Sequence, residues 1–253
     1  MGSLKGKNAF ITGTSQGIGA AIADQLIDAG CNLCIHYFSS DEVPKQLETK
    51  AEGLGQKVLC LKADLTDEAD TVRCVQEAVK SFGTFDVLIN NSGALVERRG
   101  VTEITEDYWR RLIDINLSTM MYVTRELVPH LNKKEGASIV NMASLAGRKG
   151  GHAGSLVYST TKGAMLTWTR SLSGELGADG IRVNSVSPGF IEGTRFHKTH
   201  TKKESAIQTI EGIPLGRSGN PDDVARAVVF LASEYDGFIT GATLDINGGV
   251  YCA

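Results

Sequence analysis

Residues 9–30, AFITGTSQGIGAAIADQLIDAG, pass from a short apolar run through a glycine-rich turn into a segment of helical spacing. That order of elements decides the fold. Ala9-Phe10-Ile11 has the size of a buried strand, whereas Ile18, Ile22, Leu26 and Ile27 recur on one helix face until Gly30 stops the pattern. Between them lie Gly13, Gly17 and Gly19. Glycine permits a tight turn and a close backbone approach, so the free N–H groups and positive dipole end of the following helix can meet a pyrophosphate. The spacing is GxxxGxG rather than the more widespread GxGxxG. The strand before the turn and the helix after it favour a dinucleotide loop over a merely structural turn. Gly13, Ser15, Gln16, Gly17, Ile18 and Gly19 are its candidate cofactor contacts.

The same alternation continues outward. Further apolar or β-branched runs at 32–37, 58–62, 87–90, 138–141, 182–186 and 243–246 are mostly separated by helix-length amphipathic segments. Residues 67–82 are expected to form one such helix, capped by Thr66 and closed by Gly83. Strands alternating with helices imply a parallel sheet with right-handed crossovers. The expected class is therefore α/β: a doubly wound, Rossmann-type sheet of about seven strands in a single domain over residues 1–253, its ligand crevice beyond the carboxyl ends of the strands. Polar residues gather at those ends: Asp64-Leu65 after the third run, Asn91-Ser92-Gly93 after the fourth, Ser144 after the fifth and Pro188-Gly189 after the sixth.

Composition narrows the class. A 253-residue chain with 42% hydrophobic residues can bury a large core, and a net charge of −3 gives no reason to expect nucleic acid as a partner. No run approaches the ~18 apolar residues of a membrane span and no secretory leader is recognisable, so a cytoplasmic enzyme without a membrane partner is expected. Gly2 fails the myristoylation pattern because Gly6 stands where Ser or Thr is required. In a cytoplasmic chain the Asn90 and Asn116 glycosylation patterns are void. Cys31, Cys34, Cys60, Cys74 and Cys252 are odd in number, which argues against a disulfide framework. Cys31-x-x-Cys34 with His36 resembles half a zinc site, but a strand sends residues three apart to opposite faces and no second ligand pair follows. No metal is expected.

Tyr158 and Lys162, four residues apart, can share one helix face. A phenol titrates near 10, and a neighbouring ammonium stabilises its anion, moving it toward the range where acid–base catalysis is efficient. Such a pair also arises by chance on a solvated helix. Ser144, Asn116 and Asp64 likewise have plain alternatives as a helix cap, a satisfied buried amide and a turn residue. Their joint placement at strand ends favours the chemical reading.

These motifs resemble the short-chain dehydrogenase/reductase family along nearly the whole chain. The matching elements are TGTSQGIG, Asp64-Leu65, NNSG at 90–93, Asn116, Ser144, Tyr158 with Lys162, Pro188-Gly189, and the tail ITGATLDINGG at 239–249. The resemblance implies that Tyr158 donates the proton to a carbonyl oxygen that Ser144 also binds. Lys162 would lower the tyrosine pKa and hold the nicotinamide ribose, with Asn116 completing a proton relay. Asp64 and Leu65 would face the adenine, Asn90 and Gly93 the adenosine side, and Pro188, Gly189 and Ile191 the nicotinamide. A homotetramer is implied as well. Two departures stand out: Ser92 replaces a small apolar residue, and Phe190-Ile-Glu-Gly-Thr194 is one residue longer than the usual pattern, which puts Thr194 as a cofactor contact in question.

The end of the second run bears on which dinucleotide binds. An NAD site usually has an acid there for the ribose 2′-hydroxyl, whereas this chain reads His36-Tyr37-Phe38-Ser39-Ser40 before Asp41. Tyr37, Ser39 and Ser40 are the candidate contacts, with Lys45 nearby. The missing carboxylate favours NADPH over NADH, although Gln16 provides no cation for a 2′-phosphate.

Segments 95–100, 146–156 and 193–213 are expected to border the carbonyl pocket. They are rich in basic residues, among them Arg148, His152, Arg195 and His197, which suggests an anionic substrate. The wording GALVERRGVTEI, SLAGRKGGHAGSLVY and GIPLGRSG resembles reductases of the alginate-derived 4-deoxy-L-erythro-5-hexoseulose uronate. A 3-oxoacyl-carrier-protein reductase is the alternative. A non-catalytic NADP sensor would keep the glycine loop but has no need of the Tyr158/Lys162 pair.

Overall fold

A computed structural model describes residues 4–194, 203–233 and 237–252. Seven strands form one parallel sheet in the order β3-β2-β1-β4-β5-β6-β7. They are β1 (Asn8–Ile11), β2 (Asn32–Tyr37), β3 (Val58–Lys62), β4 (Val87–Asn90), β5 (Ala137–Met142), β6 (Ile181–Pro188) and β7 (Thr243–Ile246). Each lies where an apolar run was expected, and β5 and β6 extend beyond their runs at both ends. The helices are α1 (Gly17–Asp28), α2 (Glu42–Gly53), α3 (Glu68–Phe82), α4 (Glu106–Ile113), α5 (Thr119–Leu127), α6 (Leu145–Lys149), α7 (Leu156–Leu176), α8 (Lys203–Glu211) and α9 (Pro221–Ala232). The cap of α3 is Asp67 rather than Thr66, its side chain accepting from the Asp70 N–H. Thr66 instead bonds to Asp64, through both its N–H and its hydroxyl.

Alternation along the strands builds two cores. Ile11, Ile35, Ile89 and Val140 pack with α1, α2 and α9 on one face, while Phe10, Cys34, Leu88 and Ile139 pack with α3, α5 and α7 on the other. Cys31 belongs to the first core and Cys34 to the second, so the strand separates the two thiols as expected. Burial pushes Cys31, Cys60 and Cys74 up to about 12 and Cys34 well above its usual value. Deprotonation is therefore disfavoured at all four. Among the described residues no group of metal-ligating side chains gathers, and no helix is long and apolar enough to cross a membrane.

The strand order reverses direction between β1 and β4. Loops leaving those two strands diverge to opposite sides and open a crevice at their carboxyl ends. The cleft found there measures about 2050 Å³ and runs from the β1 turn to α6 and α7.

Candidate active site

Gly13 and Gly17 hold φ of 74° and 60°, in the left-handed region that glycine tolerates. A Cβ on Gly19 would lie 2.2 Å from the Gly13 carbonyl oxygen and 2.5 Å from Asn91 Nδ2, so the start of α1 rests directly on the loop. Asn91 Nδ2 donates to the carbonyl oxygens of Thr12 and Gly13, each at 2.9 Å. From the other side the Gly13 N–H donates to His36 Nδ1 at 3.2 Å, and His36 Nε2 lies 3.0 Å from the Ala63 carbonyl. An acceptor at Nδ1 and a donor at Nε2 define one neutral tautomer. Burial pushes His36 down to about 4 against the raising influence of Ala63, Asp70 and Asp64.

The first turn of α1 carries no side-chain cap and no acidic residue. Its N–H groups and dipole are left for an anion at the cleft floor. Gly13, Ser15, Gln16, Gly17, Ile18 and Gly19 all line the cleft. This uncapped helix start, with its glycine-only approach, fits a dinucleotide pyrophosphate.

At the β2 and β3 ends the cleft is lined by Phe38, Ser39, Asp64 and Leu65. Tyr37 and Ser40 are not part of that wall; the Ser40 hydroxyl accepts from the Glu42 N–H at 3.3 Å at the start of α2. Lys45 is paired with Asp41 at 2.7 Å. Asn90 also departs from expectation. Its amide is buried behind the sheet, donating to Thr124 at 3.0 Å and Asn141 at 2.9 Å, and Asn91, Ser92 and Gly93 form the cleft wall instead. The pleat accounts for this, because Asn90 is still in β4 and points toward α5.

Ser144 leaves β5 as the N-cap of α6, accepting from the Ala146 N–H at 3.2 Å, and is hydrogen-bonded to Tyr158. The cap and the chemical role are thus compatible in one residue. Tyr158 is 8% exposed and sits near the start of α7. Lys162, one turn later, lies with Nζ 5.8 Å from the Tyr158 ring centroid and donates to the Met142 carbonyl at 2.7 Å. Burial pushes Lys162 down to about 7.

The expected direction of the tyrosine shift is reversed. Burial raises Tyr158, and the Ser144 hydrogen bond is the opposing influence. The Lys162 charge is turned toward Met142, and its own ionisation is weakened by the same burial. A phenol so held stays protonated near neutrality, as a donor to a carbonyl oxygen must.

Asn116 lies in a π-helical turn, Asp114–Ser118, between α4 and α5. Its amide is fully used: Nδ2 donates to Ala94 at 2.8 Å and Leu112 at 3.0 Å, and Oδ1 accepts from the Ala94 N–H at 3.1 Å. The side chain is a strut beneath the cleft rather than part of its lining. Gly93 admits both neighbours, since a Cβ there would lie 2.8 Å from Asn116 Oδ1 and 3.1 Å from Lys162 Nζ.

Pro188, Gly189, Ile191 and Thr194 line the opposite wall. Thr194 is buried, donates to the Ile191 carbonyl at 3.0 Å and faces Gly17. Gly193, at φ 79°, turns the longer segment back toward the cleft.

His152 lines the cleft, as do Arg98 and Lys149. Arg148 does not; its guanidinium is engaged by Asp245 on β7 and faces the Tyr251 ring. Arg195 and His197 lie outside the described residues. The bracing of the glycine loop by His36 and Asn91 was not anticipated. A single histidine in the apolar run 32–37 and a polar residue immediately beyond a strand were their only signals.

Known proteins resemble this chain in sequence and overall shape over nearly its whole length. Residues 13–251 match a family model described as Enoyl-(Acyl carrier protein) reductase. An uncharacterized oxidoreductase of Methylorubrum extorquens is 38% identical, covering 99% of this chain and 100% of its own. A 3-oxoacyl-[acyl-carrier-protein] reductase of Staphylococcus aureus is 33% identical, covering 97% and 98%. Among solved structures, a short-chain dehydrogenase/reductase of Serratia marcescens superposes with a TM-score of 0.92 at 32% identity, over 99% of this chain and 100% of that one. An NADH-dependent reductase responsible for alginate metabolism gives 0.89 at 32%, covering 99% of each chain. A metagenomic blue fluorescent protein in complex with NADPH gives 0.91 at 32%, covering 99% of this chain and 100% of its own.

Proposed function

The chain belongs to the short-chain dehydrogenase/reductase family and is an NAD(P)-dependent oxidoreductase; we propose that it reduces the carbonyl of a small acidic sugar derivative, with 4-deoxy-L-erythro-5-hexoseulose uronate as the substrate. The observation that carries the reductive reading is the Ser144–Tyr158 hydrogen bond at the cleft, beside a lysine that burial brings to about 7. A nicotinamide held in the cleft would supply the hydride for the carbonyl carbon. Tyr158 gives its proton to the carbonyl oxygen, and Ser144 donates a second hydrogen bond to the charge developing there. Lys162 holds the ribose and, when charged, supports the phenolate left on Tyr158; Asn116 keeps Lys162 and Gly93 in register. The glycine loop and the start of α1 hold the pyrophosphate, Asp64 and Leu65 the adenine, and Pro188, Gly189 and Ile191 the nicotinamide side.

Arg98, Lys149 and His152 at the substrate end support an anionic substrate. The likeness to a reductase of alginate metabolism points the same way. NADPH is the cofactor we favour, because no carboxylate ends β2 to repel a 2′-phosphate. With Lys45 held by Asp41, discrimination against NADH should be small. Exposed Phe230 and Leu244, on α9 and the edge strand β7, support the expected homotetramer. A 3-oxoacyl-carrier-protein reductase is the second reading, favoured by the Staphylococcus aureus relative.

The test is a paired NADPH and NADH oxidation assay on the uronate, an acetoacetyl thioester and neutral ketoses, with wild type and Tyr158→Phe. The uronate should be the best substrate, and the variant should bind cofactor normally while losing about a hundredfold or more in turnover. Preference for the thioester would select the second reading, and undiminished turnover of the variant would remove Tyr158 from the mechanism.

A further inference from the structure

Val96 is the only non-glycine residue with positive φ among the described residues, at 68°. For a β-branched side chain this is a strained conformation, which persists only where the surroundings over-determine it. They do so here. The Glu97 N–H donates to the Leu95 carbonyl at 2.9 Å, closing a three-residue γ-turn with Val96 at its apex. The Glu97 carbonyl accepts from the Tyr108 hydroxyl at 2.8 Å, and the Arg99 N–H donates to the Gly154 carbonyl at 3.0 Å. Arg98 Nη1 reaches the Ala153 carbonyl at 3.2 Å. Gly154 lets the two segments approach, for a Cβ there would lie 2.8 Å from that of Arg98.

The turn has a directional consequence. Leu95 is buried, and Val96 packs against its cluster with Tyr108, Leu112, Val157 and Tyr158 while also lining the cleft. Arg98, two residues on, lines the same cleft with a cation. One short loop thus brings an apolar wall and a positive charge to the substrate end.

We propose that Val96 is a specificity-determining residue: the strained turn fixes its isopropyl group as an apolar wall near Tyr158, limiting the size of the substituent on the carbonyl that is reduced. This deepens the carbonyl-reductase reading above and rests on it. A wall of this kind discriminates by volume, and one extra methylene in an apolar pocket changes selectivity by about 10- to 200-fold.

The experiment compares wild type, Val96→Gly and Val96→Thr on ethyl acetoacetate and its longer homologue ethyl 3-oxohexanoate, alongside the uronate. Val96→Gly should raise the kcat/KM ratio of the longer to the shorter ester by about tenfold or more. Val96→Thr keeps the branched shape and should leave that ratio within about threefold of wild type. Relief of the turn should offset the lost side chain, so the Tm of Val96→Gly should stay close to that of wild type. An unchanged ester ratio in Val96→Gly, or equal relaxation in Val96→Thr, overturns the wall; a fall of many degrees in Tm overturns the strained turn. A wild type inactive on the uronate with the ester ratio shifted as expected would refute the uronate reading alone.

Discussion

Arg148 on α6 and Asp245 on β7 meet in a two-point ion pair across 97 residues of chain, Nε at 2.9 Å from Oδ1 and Nη2 at 2.6 Å from Oδ2. The side chains are 15% and 18% exposed, so the pair is largely withheld from water. It ties α6, and with it the Ser144 cap, to the edge of the sheet. Arg148→Ala leaves the Asp245 carboxylate without this partner and should cost on the order of 2 to 3 kcal/mol. Thermal unfolding should report that loss, with a lower kcat from a displaced Ser144. KM for acidic and neutral substrates should shift together. A KM increase confined to acids would return Arg148 to the substrate site.

Arg148 also illustrates how far the sequence could be read. Basic residues in a segment expected to border the carbonyl pocket suggest an anion, but the acid that engages this one stands on the distant edge strand, and no local pattern announces it. The strands were legible because short runs of β-branched and apolar residues alternate with helix-length segments. The glycine loop was legible because its conformation demands that residue. Asn90 and Asn91 are identical in type, and one step of the pleat sends the first into the protein and the second toward the Thr12 and Gly13 carbonyls. Val96 lies in the segment 95–100 expected at the pocket, but its conformation left no trace, for a β-branched residue is among the last that sequence would place at positive φ.

Gly93→Ala tests the packing beneath the cleft. The added methyl would lie 2.8 Å from Asn116 Oδ1 and 3.1 Å from Lys162 Nζ, both in crowded surroundings. Overpacking of this kind costs about 1 to 3 kcal/mol. Displacement of Lys162 should also lower kcat by about tenfold or more, since small misplacements at a reacting centre are costly. Chemical denaturation and steady-state kinetics on one preparation measure both effects. Wild-type values in both would show that the pocket floor yields freely.

Lys162 makes stability depend on pH in a direction opposite to that of a paired lysine. Burial takes it from its usual 10.5 to about 7, so between these values the unfolded chain binds the extra proton. Stability therefore rises with pH across that window, and the penalty of a buried ammonium is fully present below about 7. Lys162→Met removes the penalty, at the cost of one hydrogen bond to Met142. Its denaturation midpoint should exceed that of wild type at pH 6, by a margin that shrinks toward pH 10. A margin independent of pH would mean that Lys162 keeps an ordinary ionisation in the fold.

His36 supplies the acid counterpart. Its ring must remain neutral to accept from the Gly13 N–H through Nδ1 while reaching Ala63 through Nε2, and burial lowers it from 6.5 to about 4. Protonation would set a second N–H against that of Gly13 and break the brace between β2 and the glycine loop. Between about 6.5 and 4 the unfolded chain carries the extra proton, so wild type loses stability as pH falls through this window. The full loss from this group amounts to about 3 kcal/mol, at roughly 1.4 kcal/mol per pH unit. His36→Asn retains an oxygen acceptor of similar reach and does not titrate. Its stability measured in urea from pH 7 to 4 should fall less steeply than that of wild type by close to one proton's worth, after the shared carboxylate contribution is subtracted. Parallel slopes would place the histidine proton in the folded state and remove the neutral brace.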